Sequence, residues 1–182
     1  MLSVKQLFLV ALLPPEPVLG QVWALKQAVR QRTGSRNAVR LPAHITLIPP
    51  TRQPAEFEAS CRQTLRAFAA ARQPFLVGLE NFDWFGDRTL FVRVTEAAAL
   101  RSCHAALLAW CATRLPAVAP EARPFTPHLT LATRDLPAAQ VPALRQDFAA
   151  RTFAATFEVR TLTLFRHDGQ QWIRVEDFPL GS

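Results

Sequence analysis

The stretch HITLIPP, His44 to Pro50, returns in altered form as HLTLATR, His128 to Arg134. The two histidines stand 84 positions apart. In each copy one aliphatic residue separates a histidine from a threonine, and a second aliphatic residue follows. Successive side chains on a strand point to opposite faces. On a strand, therefore, His44 and Thr46 project together while Ile45 and Leu47 project the other way. His128 and Thr130, backed by Leu129 and Leu131, repeat the arrangement. The aliphatic pair can anchor each strand in a core, leaving the polar pair for an outer face or a cleft. One such motif says little, but two inside a matched repeat say much more.

The match spreads outward from the motifs. QLFLVALL around Phe8 resembles TLFVRVT around Phe91, 83 residues on. Beyond each motif comes a helix-like segment and then a strand-like one. These are Pro54–Arg72 and Pro74–Phe85 in the first half, and Pro137–Arg151 and Phe153–His167 in the second. FGDRTLFVRV (Phe85–Val94) then pairs with HDGQQWIRV (His167–Val175). Leu100, Cys103, Leu107, Cys111 and Leu115 recur at three- and four-residue steps and predict a helix over Ala97–Leu115. Phe57, Cys61, Leu65 and Phe68 do so after the first motif. Val18–Arg32 is predicted as a first helix, opened by prolines. TFEVRTLTLF (Thr156–Phe165) alternates and is predicted as one strand. HDGQ is predicted as a hairpin turn, because Asp-Gly accepts the positive φ such turns need. RTGSR (Arg32–Arg36) and Pro116–Pro127 read as loops. The pattern predicts an α+β fold: a bilobal pseudo-two-fold duplication around a central cleft, each lobe an antiparallel sheet with helices packed on one face. It forms a single domain over 1–182, with internal repeats at approximately 4–85 and 89–175.

Composition narrows the function. The net charge is +7, from 21 basic and 14 acidic residues, and the only lysines are Lys5 and Lys26. An arginine-rich surface suits phosphate-bearing partners, since guanidinium grips phosphate oxygens in pairs. A GC-rich genome explains the same composition. No dense basic run appears, which argues against a dedicated duplex-binding surface. Cys61, Cys103 and Cys111 are odd in number and form no C-x-x-C pair. They read as reduced, packed thiols of a cytoplasmic protein. The apolar run Leu7–Leu13 is short for a signal peptide and is predicted as a buried strand. No run is long enough to span a membrane, and a monomer is expected.

Two imidazoles meeting across one groove suit transfer at phosphorus. Histidine titrates near neutrality, so one ring can take a proton from the attacking water or hydroxyl while the other gives one to the leaving oxygen. The threonine hydroxyls can donate to the non-bridging oxygens as charge builds there. Arg40 and Arg134 are the sequence-close candidates for substrate phosphate. Neither motif places a carboxylate or cysteine at ligand spacing, so no metal and no cofactor are expected. His104 lies on an apolar helix stripe and reads as packed, whereas His167 sits by a turn, near solvent. Phe8, Trp84, Phe91 and Phe165 read as core.

Paired H-x-[ST]-x motifs some eighty residues apart resemble the 2H phosphoesterase superfamily, and PAHITLIPP resembles its 2′-5′ RNA ligase-like branch. The resemblance implies motif pairs facing each other across a central cleft. It implies metal-independent action on 2′,3′-cyclic phosphate or 2′-5′ phosphodiester bonds of RNA or nucleotides, with 2′-5′ RNA ligation as the reverse reaction. Carried over by position, His44 and Thr46 form the first pair and His128 and Thr130 the second. In relatives the second histidine is usually cast as the base in hydrolysis and the first as the acid. Two features depart from the family pattern. IPP follows the first motif where an aromatic-Leu-Gly run is common, and Arg134 stands one residue late. There is also no tyrosine for base stacking. The alternatives are a non-catalytic RNA- or nucleotide-binding module on the same scaffold and an esterase for a small cyclic phosphate. Retention of all four polar motif residues favours an enzyme, since binding alone needs no pair of proton carriers.

Overall fold

In chain order the elements are β1 (Lys5–Leu12), α1 (Val18–Thr33), a 3-10 turn (Asn37–Arg40), β2 (Ile45–Pro54), α2 (Phe57–Ala70), β3 (Phe75–Phe85) and β4 (Thr89–Val94). There follow α3 (Ala98–Arg114), β5 (His128–Ala132), a 3-10 turn (Ala138–Gln140), α4 (Val141–Ala150), β6 (Ala154–Val159), β7 (Thr161–His167) and β8 (Trp172–Pro179). This computed structural model describes residues 5–119 and 122–181. The strands run β6-β3-β4-β5-β2-β1-β7-β8, with antiparallel neighbours throughout. At the middle joint β2 and β5 share a single residue pair, Ile45 with Leu129. The sheet thus divides into two four-stranded halves, β2-β1-β7-β8 and β5-β4-β3-β6. Helix α2 packs on β7 and β8, α3 on β3, and α1 on β5. One apolar core joins both halves, with Ile45, Leu47, Leu129 and Leu131 inside it.

The halves of the chain do not each build their own sheet. Strand β3 leaves the first half to pair with β4 and β6, and β7 and β8 return from the second half to extend β1. This exchange divides the predicted strand Thr156–Phe165 in two. It breaks at exposed Arg160, whose carbonyl accepts the Leu180 N–H at 2.8 Å. The cause lies in the burial phase. Phe157 and Val159 are buried before Arg160, Leu162 and Leu164 after it, so no single flat strand could bury both sets.

Two other expectations shift. The segment Pro54–Arg72 is not helical from its start, because β2 runs on through Pro54 and α2 begins at Phe57. The prolines fit in that strand because Thr51 pairs with Phe8 and Ile48 with Val10, leaving Pro49 and Pro50 in a bulge opposite Leu9. The second shift concerns the repeat. Ala11 stands opposite Thr46, and Phe91 stands opposite Thr130. Ala11, not Phe8, is therefore the counterpart of Phe91, at an offset of 80 residues (91 − 11). The helices agree, since α1 starts at Val18 and α3 at Ala98. Phe8 faces the core, in contact with Phe57, whereas Phe91 faces the cleft. The hairpin at HDGQ forms as expected. Gly169 has φ 108°, and the Asp168 carboxylate accepts the N–H groups of Gln170 and Gln171.

Candidate active site

The single pair Ile45–Leu129 fixes the geometry of the site. One step either side of it, His44 lies across from Thr130 and Thr46 across from His128. Ile45 and Leu129 are fully buried, which turns all four polar side chains to the opposite face. That face floors a cleft of about 550 Å³, bordered by His44, Thr46, His128, Thr130, Arg40 and Arg134. All six residues singled out from sequence thus border one cavity. Lys26 and Arg123 border it too, and no carboxylate does so among the described residues.

Each histidine is oriented in the same way. His44 Nδ1 lies 2.7 Å from the Pro42 carbonyl, and His128 Nδ1 lies 2.7 Å from the Thr126 carbonyl. A carbonyl only accepts, so each Nδ1 carries the hydrogen and donates it. In the neutral rings Nε2 is then left as the proton acceptor. Burial pushes the His44 pKa down to about 4. Lys26 and, to a smaller degree, His128 push the same way, against the Pro42 hydrogen bond. His128 is also lowered by burial, partly offset by its bond to Thr126.

Several residues that sequence reasoning passed over complete the site. Lys26 Nζ donates to the carbonyls of Ala38, Leu41 and Pro42, in the loop that leads to His44. The Asp135 carboxylate accepts the Ser35 hydroxyl and the N–H groups of Arg36 and Asn37, tying the loop after α1 to the end of β5. Between them Arg134 has φ 60°, and the Asp135 N–H reaches back to the Thr133 carbonyl at 2.7 Å. A non-glycine residue in that region is strained, and the turn presents its side chain at the cleft edge. The rings of Phe85 and Phe91 lie 4.8 and 5.2 Å from that of His128. Phe85 is 40% exposed, and its place just before a Gly-Asp turn was the one sequence cue to it.

The remaining aromatic and histidine readings divide. Phe8, Phe91 and Phe165 are buried, and Trp84 is partly so, under the Arg145 guanidinium. His104 is buried and stacked on Phe125 at 3.7 Å. His167 stands behind Trp172, which borders the cleft. The three cysteines are free and buried. No helix among the described residues is long and apolar enough to cross a membrane.

Comparison with known proteins identifies the fold and the family. None of the curated proteins compared matches the chain in sequence. Among solved structures it resembles TT0787 of Thermus thermophilus, with a TM-score of 0.71 at 22% identity over 97% of this chain and 98% of the other. It resembles E. coli LigT complexed with 3′-AMP, with a TM-score of 0.68 at 16% identity over 98% and 99%. Kluyveromyces marxianus Usb1 is more distant, with a TM-score of 0.51 at 17% identity over 99% and 100%. These likenesses concern the fold. Residues 14–171 match the sequence profile of the 2′-5′ RNA ligase superfamily, a span that includes both motifs and the strands β2 and β5 that carry them. The chain belongs to the 2′-5′ RNA ligase superfamily, within the 2H phosphoesterases.

Proposed function

We propose that this protein is a metal-independent phosphodiesterase acting on 2′,3′-cyclic phosphate or 2′-5′ linkages of RNA or nucleotides, with His44, Thr46, His128 and Thr130 as its catalytic residues. Family membership supports phosphodiesterase or RNA-ligase-type activity in general. The observation that carries the finer reading is the pairing of two Nδ1-anchored histidines across one cleft, each with a threonine opposite. In hydrolysis water attacks phosphorus, one Nε2 takes its proton, and the other Nε2 protonates the ribose oxygen as the P–O bond breaks. With a 5′-hydroxyl in place of water, attack on a 2′,3′-cyclic phosphate breaks the P–O3′ bond, O3′ takes the proton, and the product is a 2′-5′ bond. Thr46 and Thr130 donate to the non-bridging oxygens, where negative charge grows. Lys26, Arg40, Arg123 and Arg134 border the cleft and no carboxylate does so among the described residues, which favours an anionic substrate. LigT was crystallised with 3′-AMP, ATP and phosphate, which fits a nucleotide phosphate as the ligand of the cleft here.

The test is hydrolysis of a panel of 2′,3′-cyclic nucleotides and 2′-5′ dinucleotides in excess EDTA. Turnover is expected to persist with chelator and to fall by at least about 10² in His44→Ala and in His128→Ala. Unchanged turnover in both variants defeats the assignment. Tight nucleotide binding without turnover of any substrate identifies a binding module instead.

A further inference from the structure

Lys26 is one of two lysines in a chain otherwise supplied with arginine, and it is 1% exposed. It lies on α1 between buried Val22 and Val29, where helical spacing calls for another aliphatic residue. Its Nζ instead donates to three carbonyls, of Ala38 at 2.8 Å and of Leu41 and Pro42 at 3.1 Å. Three acceptors call for three N–H donors, and only the ammonium has them. A neutral amine would turn its lone pair on a carbonyl oxygen. The Pro42 carbonyl also accepts from His44 Nδ1. One oxygen therefore links a buried cation to the first imidazole.

The second half-site is built otherwise. At the 80-residue offset that relates the helices, the counterpart of Lys26 is Ala106. The loop before His128 is held from outside, by exposed Arg101 donating to the Phe125 carbonyl. The His128 ring lies against Phe85 and Phe91, which carry no charge to oppose a proton.

We propose that Lys26 is a positioning residue that makes the two histidines unequal. Its ammonium fixes residues 38–42 and shares the Pro42 carbonyl with His44, so that His44 is the proton-accepting ring and His128 the donor. This rests on the phosphodiesterase reading above and inverts the order of roles that the family resemblance implies. In hydrolysis the water proton passes to His44 Nε2 and the water oxygen bonds phosphorus. The P–O(ribose) bond breaks with its electrons on the ribose oxygen, which takes the proton of His128 Nε2. Exchange with solvent then resets both rings. The charged groups facing His44 are Lys26 from α1 and His128 from β5. Arg40, Arg123 and Arg134 border the same cleft, and among the described residues no cleft-lining charge favours protonation of the first ring. The electrostatics of His44 run the same way: burial and then Lys26 take it down to about 4, and Lys26, although burial lowers it to about 7, is still the ammonium over the pH range in which His44 titrates.

The experiment compares wild type, Lys26→Met and Lys26→Arg on the substrate that the panel identifies, measuring kcat and KM from pH 4 to 9. Lys26→Met is expected to lower kcat at least about 10-fold with KM within about 3-fold, and to move the acidic limb of kcat/KM up toward that of an ordinary histidine at about 6.5. Lys26→Arg, which keeps the charge, is expected to recover part of kcat and leave the limb near its wild-type position. A folded Lys26→Met protein with wild-type kcat and an unmoved limb overturns the proposal. Nitrogen-15 NMR of the histidine rings in the wild-type protein provides a second test that needs no Lys26 variant to fold and no turnover. It is expected to find His44 neutral and Nδ1-protonated at pH 6, taking up a proton only below the pH at which His128 does. The opposite order of titration overturns the proposal even if His44→Ala and His128→Ala are both inactive. Full turnover in those two alanine variants overturns the function and leaves the NMR result to judge Lys26.

Discussion

The two half-sites repeat in backbone and differ in what stands behind them. Both place a histidine and a threonine on one strand face over buried aliphatic residues, and both anchor Nδ1 on the carbonyl two residues back. Behind the first lie small Ala11 and the Lys26 ammonium, and behind the second the rings of Phe91 and Phe85. A duplicated scaffold thus fixes position twice and leaves charge to be set separately on each side. Acid–base chemistry needs both. Two rings with the same surroundings would share one proton without preference, whereas unequal surroundings fix which ring is neutral and which is charged at a given pH.

The strongest way to break the comparison is to remove each ring in turn. His44→Ala and His128→Ala are each expected to lose about 10²–10⁴ in kcat/KM, and the double variant little more than the worse single one, because the two act as a unit. Multiplicative losses in the double variant would mean that the rings work independently. Next in size is the stability of the aromatic side. Phe91 is 5% exposed, and Phe91→Ala is expected to cost about 3–5 kcal/mol by urea denaturation. The reciprocal Ala11→Phe forces a ring into a fully buried site and is expected to cost about 1–3 kcal/mol through overpacking. Equal and small losses in both would show that the two sides are interchangeable.

Much of this was legible in the sequence. The motif alternation needs only period-two burial, and Ile45, Leu47, Leu129 and Leu131 supplied it in both copies. The register of the repeat was not, because both faces of β1 are covered. Phe8, Val10 and Leu12 enter the main core, while Leu9 and Ala11 pack with Phe165 on the cleft side. With both faces apolar, matching letters cannot tell one face from the other. The switch at Arg160 left a trace in the phase of the large aliphatic residues around it. Lys26 left little, since a lysine on an amphipathic helix reads as exposed and its three acceptors lie 12 to 16 residues further on.

Acid stability sharpens the contrast through His44. Its pKa of about 4 in the folded protein lies below the ordinary 6.5 that the unfolded chain would show. Between those pH values the unfolded chain holds a proton that the folded protein does not, so acid favours unfolding. Stability is intact above about 6.5 and drains as pH falls toward 4, by about 3 kcal/mol in all. His44→Gln is expected to remove that slope, leaving a smaller difference between unfolding midpoints at pH 7 and pH 4.5 than wild type. An identical pH dependence in both would mean that His44 is not held neutral.

The smallest expected effect is at Asp135, where the two halves of the chain are tied beside Arg134. One carboxylate oxygen accepts from the Ser35 hydroxyl at 2.7 Å, and the other from the N–H groups of Arg36 at 2.7 Å and Asn37 at 3.0 Å. Burial pushes its pKa up and these donors push it down, with the net below the usual carboxylate range. In Asp135→Asn the amide oxygen can still face the two backbone donors while its NH₂ turns to Ser35, whose hydroxyl can rotate to accept. Only the charge is lost, and because Asp135 is exposed, solvent screening keeps the cost within about 1 kcal/mol. Asp135→Ala instead leaves all three donors without that acceptor and frees the turn that holds Arg134 at positive φ. KM is therefore expected to rise in the alanine variant, with kcat near wild type, and to stay close to wild type in the asparagine variant. Equally raised KM values in the two variants would show that the charge, and not the three hydrogen bonds, sets the position of Arg134 at the cleft edge.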